Sequence, residues 1–166
     1  MKVLLTGATG MIGGLVLQHC LECADVNQVI SLLRRPSGVR HDKLEEVIVE
    51  NFLALDEQAT HFENLDAVYY CQGVYTGAVD RDAFRSITVD YPETLARVVV
   101  KKSPKARFCL LSGAGADRAE KSRMAFAKDK GAIENRLSAM ELCAFHTFRP
   151  GYIYPMTPRN EPGFGY

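Results

Sequence analysis

Apolar residues recur along the chain with two alternating spacings. Short, mostly apolar runs at residues 3–5, 29–33, 47–49, 67–71, 108–111 and 145–148 are those expected of strands buried on both faces of a parallel sheet. Between them the period changes. Met11, Ile12, Leu15 and Val16 repeat at helical spacing and predict a helix over 11–23, ended by a turn at Asp25 and Asn27. A weak helix is predicted over 56–62, a helical region over 82–102 that Pro92 should kink or split, and a last helix over 120–140. Strand and helix alternate without an internal repeat. A single α/β domain is expected, its parallel sheet covered by helices on both faces.

The first change of period falls on glycines, in Thr6-Gly7-Ala8-Thr9-Gly10-Met11-Ile12-Gly13. One glycine of such a triplet permits a tight turn, one lets backbone approach a pyrophosphate, and one lets the helix pack close to the strand. The unpaired N–H groups at the start of the helix then face the phosphates, with the positive end of the helix dipole behind them. Gly7, Thr9, Gly10, Met11, Ile12 and Gly13 are therefore candidate cofactor residues. A strand-to-helix turn with no ligand is the alternative.

The end of the second strand should lie beside an adenosine ribose. A carboxylate there would hold the 2′-hydroxyl, and a basic residue a 2′-phosphate. The chain offers Arg34 and Arg35 and no carboxylate between Ile30 and Arg40. Forked guanidinium donors suit a phosphate, so NADP is preferred to NAD, although two loop arginines also suit plain solvation. Asn51 and Phe52 stand where an adenine could be hydrogen-bonded and packed. Gly73, past the fourth strand, would let backbone pass close to the cofactor.

Composition narrows the class. The 166 residues are 47% hydrophobic and 24% charged, as in ordinary globular proteins, and 20 basic residues balance 20 acidic ones. No global field draws the chain to nucleic acid or an anionic membrane, and no stretch is long enough to span a bilayer. Five cysteines, an odd number, fit a reduced cytoplasmic protein better than a disulfide scaffold. Cys20 and Cys23 lack partners to complete a zinc set, so no metal site is expected. His19, His41, His61 and His146 show no spacing suited to a metal or a nucleophile relay. Lys2 before an apolar run looks like a leader, but Thr6, Gly7, Thr9 and Gly10 break that run, so a cytoplasmic location is expected.

These residues resemble the short-chain dehydrogenase/reductase superfamily, in its atypical and extended branches, and within it the TIP30-like and NmrA-like NAD(P)-binding proteins. Besides the glycine loop, the motifs in matching order are Tyr70-Cys71-Gln72-Gly73, Val89-Asp90-Tyr91, Leu110-Leu111-Ser112-Gly113-Ala114-Gly115-Ala116-Asp117, Lys130-Gly131-Ala132-Ile133-Glu134 and Phe148-Arg149-Pro150-Gly151. The resemblance covers residues 1–155 and implies a three-layer Rossmann fold, a doubly wound parallel sheet. It adds Cys71, Lys130, Pro150 and Tyr152 to the cofactor contacts, and implies a serine and a Tyr-x-x-x-Lys pair as catalytic groups. Ser112 takes the serine place and Lys130 the lysine place. Four residues before Lys130, however, stands Phe126, which has no proton to exchange.

Two functions follow. One is an oxidoreductase or nucleotide-sugar epimerase-like enzyme acting on an unidentified small molecule without the usual phenol; the other is a non-catalytic protein that senses NADP(H). Residues 156–166, with their prolines, glycines and aromatics, are expected to be irregular and to begin a substrate region. Aromatic side chains at this end could also dock a second copy in a homodimer.

Overall fold

β1 (Lys2–Thr6) lies inside a six-stranded sheet, so its apolar run is covered from both sides. The computed structural model describes residues 1–55 and 60–154. With β2 (Gln28–Leu33), β3 (Leu44–Ile48), β4 (Ala67–Tyr70), β5 (Arg107–Leu111) and β6 (Ala144–Phe148), the strand order is β3-β2-β1-β4-β5-β6, and every neighbouring pair is parallel. The helices are α1 (Met11–Glu22), α2 (Arg81–Arg85), α3 (Tyr91–Lys102) and α4 (Ala125–Ser138).

Alternation along each strand builds two cores. Val3, Leu5, Val29, Leu33 and Ala67 pack with Leu17 and Leu21 of α1. Leu4, Ile30, Val68 and Phe108 face the other way, against Leu95 and Val99 of α3 and Ile133 and Leu137 of α4. The result is the three-layer Rossmann-type α/β fold, with its sheet between two helical layers.

Three elements differ from expectation. β3 begins at Leu44, three residues before the predicted run, because it is an edge strand whose first residues stay half-exposed and need not be apolar. The helical region after residue 80 is one rod in three parts: α2, a π-helical turn over Ser86–Asp90, and α3. Pro92 falls in the first turn of α3, where its missing N–H is tolerated, and the wider turn before it absorbs the break.

The last helix starts at Ala125 rather than near 120. The Asp117 carboxylate accepts the backbone N–H groups of Ala119, Lys121 and Ser122 at 3.0, 2.8 and 2.7 Å, which holds the segment 117–122 as a loop. Of the predicted helix over 56–62, residues 56–59 lie outside the described residues and 60–62 form a single tight turn. The predicted tail 156–166 also lies outside them. Among the described residues no helix is long and apolar enough to cross a membrane.

Candidate functional site

The strand order reverses between β1 and β4, and the chain leaving β1 turns immediately at Gly7. Its φ is +75°, and a Cβ there would lie 2.6 Å from the Cys71 carbonyl, so the position admits only glycine. A Cβ on Gly13 would lie 2.0 Å from the Gly7 carbonyl oxygen, which shows how closely α1 seats on the loop. Gly10 donates its N–H to Gly7 at 2.8 Å and serves as the N-cap of α1.

That cap has no side chain, and no acidic residue lies in the first turn. Among the described residues the first-turn amides from Met11 have no side-chain partner, at the positive end of a twelve-residue helix. α2 differs, because Asp80 caps it by accepting the Ala83 N–H at 2.8 Å.

A cleft of about 150 Å³ opens over the loop at the carboxyl ends of β1, β2 and β4. It gathers Gly7, Thr9, Gly10, Arg34, Phe52, Cys71 and Gly73 of the sequence-predicted residues, and also Gln72. Arg34 and Arg35 are exposed, and neither has an ion-pair partner among the described residues. The nearby carboxylate of Glu46 is occupied by the N–H of Ser37 at 3.1 Å and by its hydroxyl, a contact that pins the loop after β2.

Asn51 uses its side-chain oxygen on the Leu53 N–H at 2.9 Å and stands outside the cleft lining. Phe52 is 3% exposed and stacks on Tyr91, with ring centroids 5.4 Å apart, so it lines the cleft as a core residue. The Cys71 thiol is pushed up to about 12 by burial, with the neighbouring Cys109 and Cys20 adding to the shift. It packs and does not attack.

Lys130, Ser112, Gln72, Gly73 and Thr88 surround a second, smaller cavity of about 30 Å³. Burial lowers the Lys130 ammonium from its ordinary value, and the charge of Glu134 opposes that shift. Among the described residues its Nζ has no hydrogen-bond partner. Ser112 donates its hydroxyl to Glu134 Oε1 at 2.6 Å, and Arg149 holds the same carboxylate through Nε at 2.9 Å and through Nη2. Burial pushes the Glu134 carboxyl up, but the hydrogen bonds from Arg149 and Ser112 outweigh it and hold the group below the usual carboxylate range.

The Phe126 ring packs against Gly115 and does not line this cavity. Ile12 and Pro150 line a separate apolar cleft of about 670 Å³ between α1 and the faces of β4, β5 and β6. Tyr152 is 67% exposed, its ring edge-on to Tyr154, and lies on none of these linings.

Sequence reasoning missed two residues. Gln72 lines both the glycine-loop cleft and the Lys130 cavity, and its amide oxygen is buried without a donor. Its place between Cys71 and Gly73, as β4 leaves the sheet, was the available signal. Glu134 carries the buried network; four residues after Lys130 on one helix, its face was legible but its partners on β5 and β6 were not. No group of three or more metal-ligating side chains occurs among the described residues.

The profile of the NAD dependent epimerase/dehydratase family matches residues 3–125. Over 166 residues the chain is 28% identical to "Protein FMP52, mitochondrial" of Eremothecium gossypii, covering 99% of this chain and 72% of that one. To Protein HTATIP2 of Rattus norvegicus it is 27% identical over 164 residues, which is 98% of this chain and 66% of the relative.

Among solved structures, UDP-glucuronic acid 4-epimerase from Bacillus cereus in complex with NAD superposes with a TM-score of 0.70 at 17% identity, over 93% of this chain and 57% of that one. WbmG of Bordetella bronchiseptica in complex with NAD gives 0.72 at 15% identity, over 90% and 52%. At these identities the likeness is one of fold, and the chain spans about half the length of those enzymes.

Proposed function

This chain belongs to the NAD dependent epimerase/dehydratase family, and from that premise we propose that it is an oxidoreductase- or epimerase-like protein that binds NADP(H) in preference to NAD(H). The carrying observation is the uncapped first turn of α1, open to a cleft bordered by Arg34, which has no ion-pair partner among the described residues. Main-chain amides from Met11 onward would hold the diphosphate, and Arg34, with Arg35 beside it, the 2′-phosphate. Ile12 and Pro150 would flank the nicotinamide half, and Lys130 would present its ammonium on that side. When bound, the nicotinamide supplies two-electron exchange. The chain's own part is to bind, to orient, and to hold a proton on Lys130 Nζ.

Phe126 limits this chemistry. A phenol is worth roughly 100- to 10,000-fold in rate where it transfers a proton, and the ring here has none. That observation favours a second reading, a protein that senses NADP(H) without turnover. A reducing compartment suits the five free thiols, and the cytoplasm is our expectation; the mitochondrial designation belongs to the fungal relative.

Calorimetry with NADP+ and NAD+ tests the binding. NADP+ should bind roughly tenfold tighter, as expected for one charge-assisted contact, and the double replacement of Arg34 and Arg35 by Ala should erase the margin. Equal affinities for the wild type would remove the 2′-phosphate reading. Turnover of aldehydes, ketones and nucleotide sugars should be slow and should rise in Phe126→Tyr. Brisk wild-type turnover that Phe126→Tyr leaves unchanged would show that another group moves the proton.

A further inference from the structure

Among the described residues the sheet ends in two unlike edges, β3 and β6. β3 reads Leu44-Glu45-Glu46-Val47-Ile48 and follows Lys43, so it carries charges of the kind that keep an edge from pairing with a foreign strand. β6 reads Ala144-Phe145-His146-Thr147-Phe148 and has no carboxylate, lysine or proline to do the same. Its outer side is open. The Phe148 carbonyl accepts the Ser112 N–H at 2.8 Å and the Pro150 carbonyl accepts the Ala114 N–H at 2.9 Å, so these alternate residues turn their backbone groups toward β5. Phe145, Thr147 and Arg149 therefore turn theirs outward, where nothing among the described residues bonds them.

Exposed apolar side chains gather on the same edge. Tyr154 at 81% and Tyr152 at 67% are the most exposed large apolar side chains among the described residues, and Phe148 stands just before them at 56%. Phe148 and Ile153 also line the apolar cleft of about 670 Å³, so the patch runs from the edge onto the open face of β4, β5 and β6. Covering three aromatic side chains, at roughly 100–150 Å² each, together with the cleft wall on two copies removes on the order of 1,000 Å² from water, the lower bound for a specific interface.

We propose that β6 pairs antiparallel with β6 of a second copy of this chain, about a two-fold axis at Thr147, and so joins two sheets into one. The occupant is a second copy because such an edge is complementary to itself. With the axis at Thr147, the outward groups of Thr147 meet those of the other Thr147, and those of Phe145 meet those of Arg149. The pair also closes. β6 against β3 would instead repeat into an open filament, and the glutamates of β3 oppose that contact. The antiparallel direction brings Tyr152 and Tyr154 beside the segment before β6 in the second copy, where Met140 and Leu142 are only partly buried. None of this depends on the dinucleotide reading.

Sedimentation velocity of the 166-residue chain from about 1 to 100 μM, with no cofactor added, tests the pairing. The wild type should be a dimer at the upper end. Thr147→Lys sets two ammonium groups opposite each other and should weaken the dimer at least about tenfold, and Phe148→Ser should weaken it by a similar factor. Both side chains are exposed in the single chain, so both variants should keep the native melting temperature. Hydrogen exchange gives a second readout. The amides of Phe145, Thr147 and Arg149 should be protected in the concentrated wild type and released by dilution or by Thr147→Lys, while those of His146 and Phe148, turned toward β5, stay protected throughout. A wild type that stays monomeric at the upper concentration overturns the proposal, whether its outer amides exchange freely or are covered by the chain's own residues. A dimer that neither variant weakens overturns it as well, because it is then built on another surface.

Discussion

Glu134 shows how much one buried charge governs. Its carboxylate ties the ends of β5 and β6 together through Ser112 and Arg149, and removing the Arg149 partner leaves a charge with only one donor. Arg149→Met should destabilise the fold by about 2 kcal/mol in urea titrations, less than the 3–5 typical of a fully buried pair because the guanidinium is partly open to water. The pH dependence has a definite sign. The folded carboxyl sits below its unfolded value of 4.5, so its stabilisation is complete above that pH and is lost as pH falls through the lower folded value. The difference in urea midpoint between wild type and Glu134→Gln should be flat from pH 7 to about 5 and shrink below 4.5. A difference that widens toward acid would contradict the ion-pair account. From the sequence, the tight turn at Gly7 and the close seating of α1 at Gly13 were legible because both lie within one strand-to-helix unit, whereas the proton direction at Ser112 depends on a helix and a strand far along the chain.

At the scale of elements, α1 and the glycine loop form one unit. Gly13→Ala puts a methyl 2.0 Å from the Gly7 carbonyl oxygen, and backbone must move to admit it. A loss of at least 1–3 kcal/mol is expected, together with weakened NADP+ binding, because the same shift turns the first-turn amides away from the cleft. Retained stability and retained affinity together would show that the loop is not rigid. The π-helical turn has a comparable anchor, the Tyr70 hydroxyl, which donates to the Ile87 carbonyl at 2.7 Å in the core. Tyr70→Phe leaves that carbonyl unpaired and should cost about 1–3 kcal/mol in thermal melts, with the largest loss of amide protection expected in residues 86–90. Central strands were readable because burial on both faces writes them as apolar runs. The edge strand β3 and the start of α4 were not, since the first needs few apolar residues and the second is set by Asp117 holding three amides that no periodicity records.

Across the whole molecule, the balance of 20 basic and 20 acidic residues means that ligand electrostatics are local, with no long-range field to add or subtract. The fold was legible at this scale because alternation of strand and helix leaves few topologies; the order β3-β2-β1-β4-β5-β6 then places a cleft where the order reverses. The proposed preference for NADP rests on a pair of arginines alone, and a thermal measurement can separate their part from that of the loop. A ligand at 100 times its Kd stabilises the folded state by about 2.7 kcal/mol, which for a chain of this length raises Tm by roughly 5–10 °C. On the proposed reading α1 holds the diphosphate that NADP+ and NAD+ share, so both should raise Tm, and NADP+ should raise it further at equal concentration. The surplus comes from exposed guanidinium groups and should fade as salt rises from about 0.05 to 0.5 M, where screening shortens to a few ångströms. The shared part should persist, because oriented backbone amides would bind the diphosphate at short range. A surplus that resists salt would move the 2′-phosphate from Arg34 and Arg35 to a buried partner, and a shared part that vanishes with it would remove the helix terminus as the anchor.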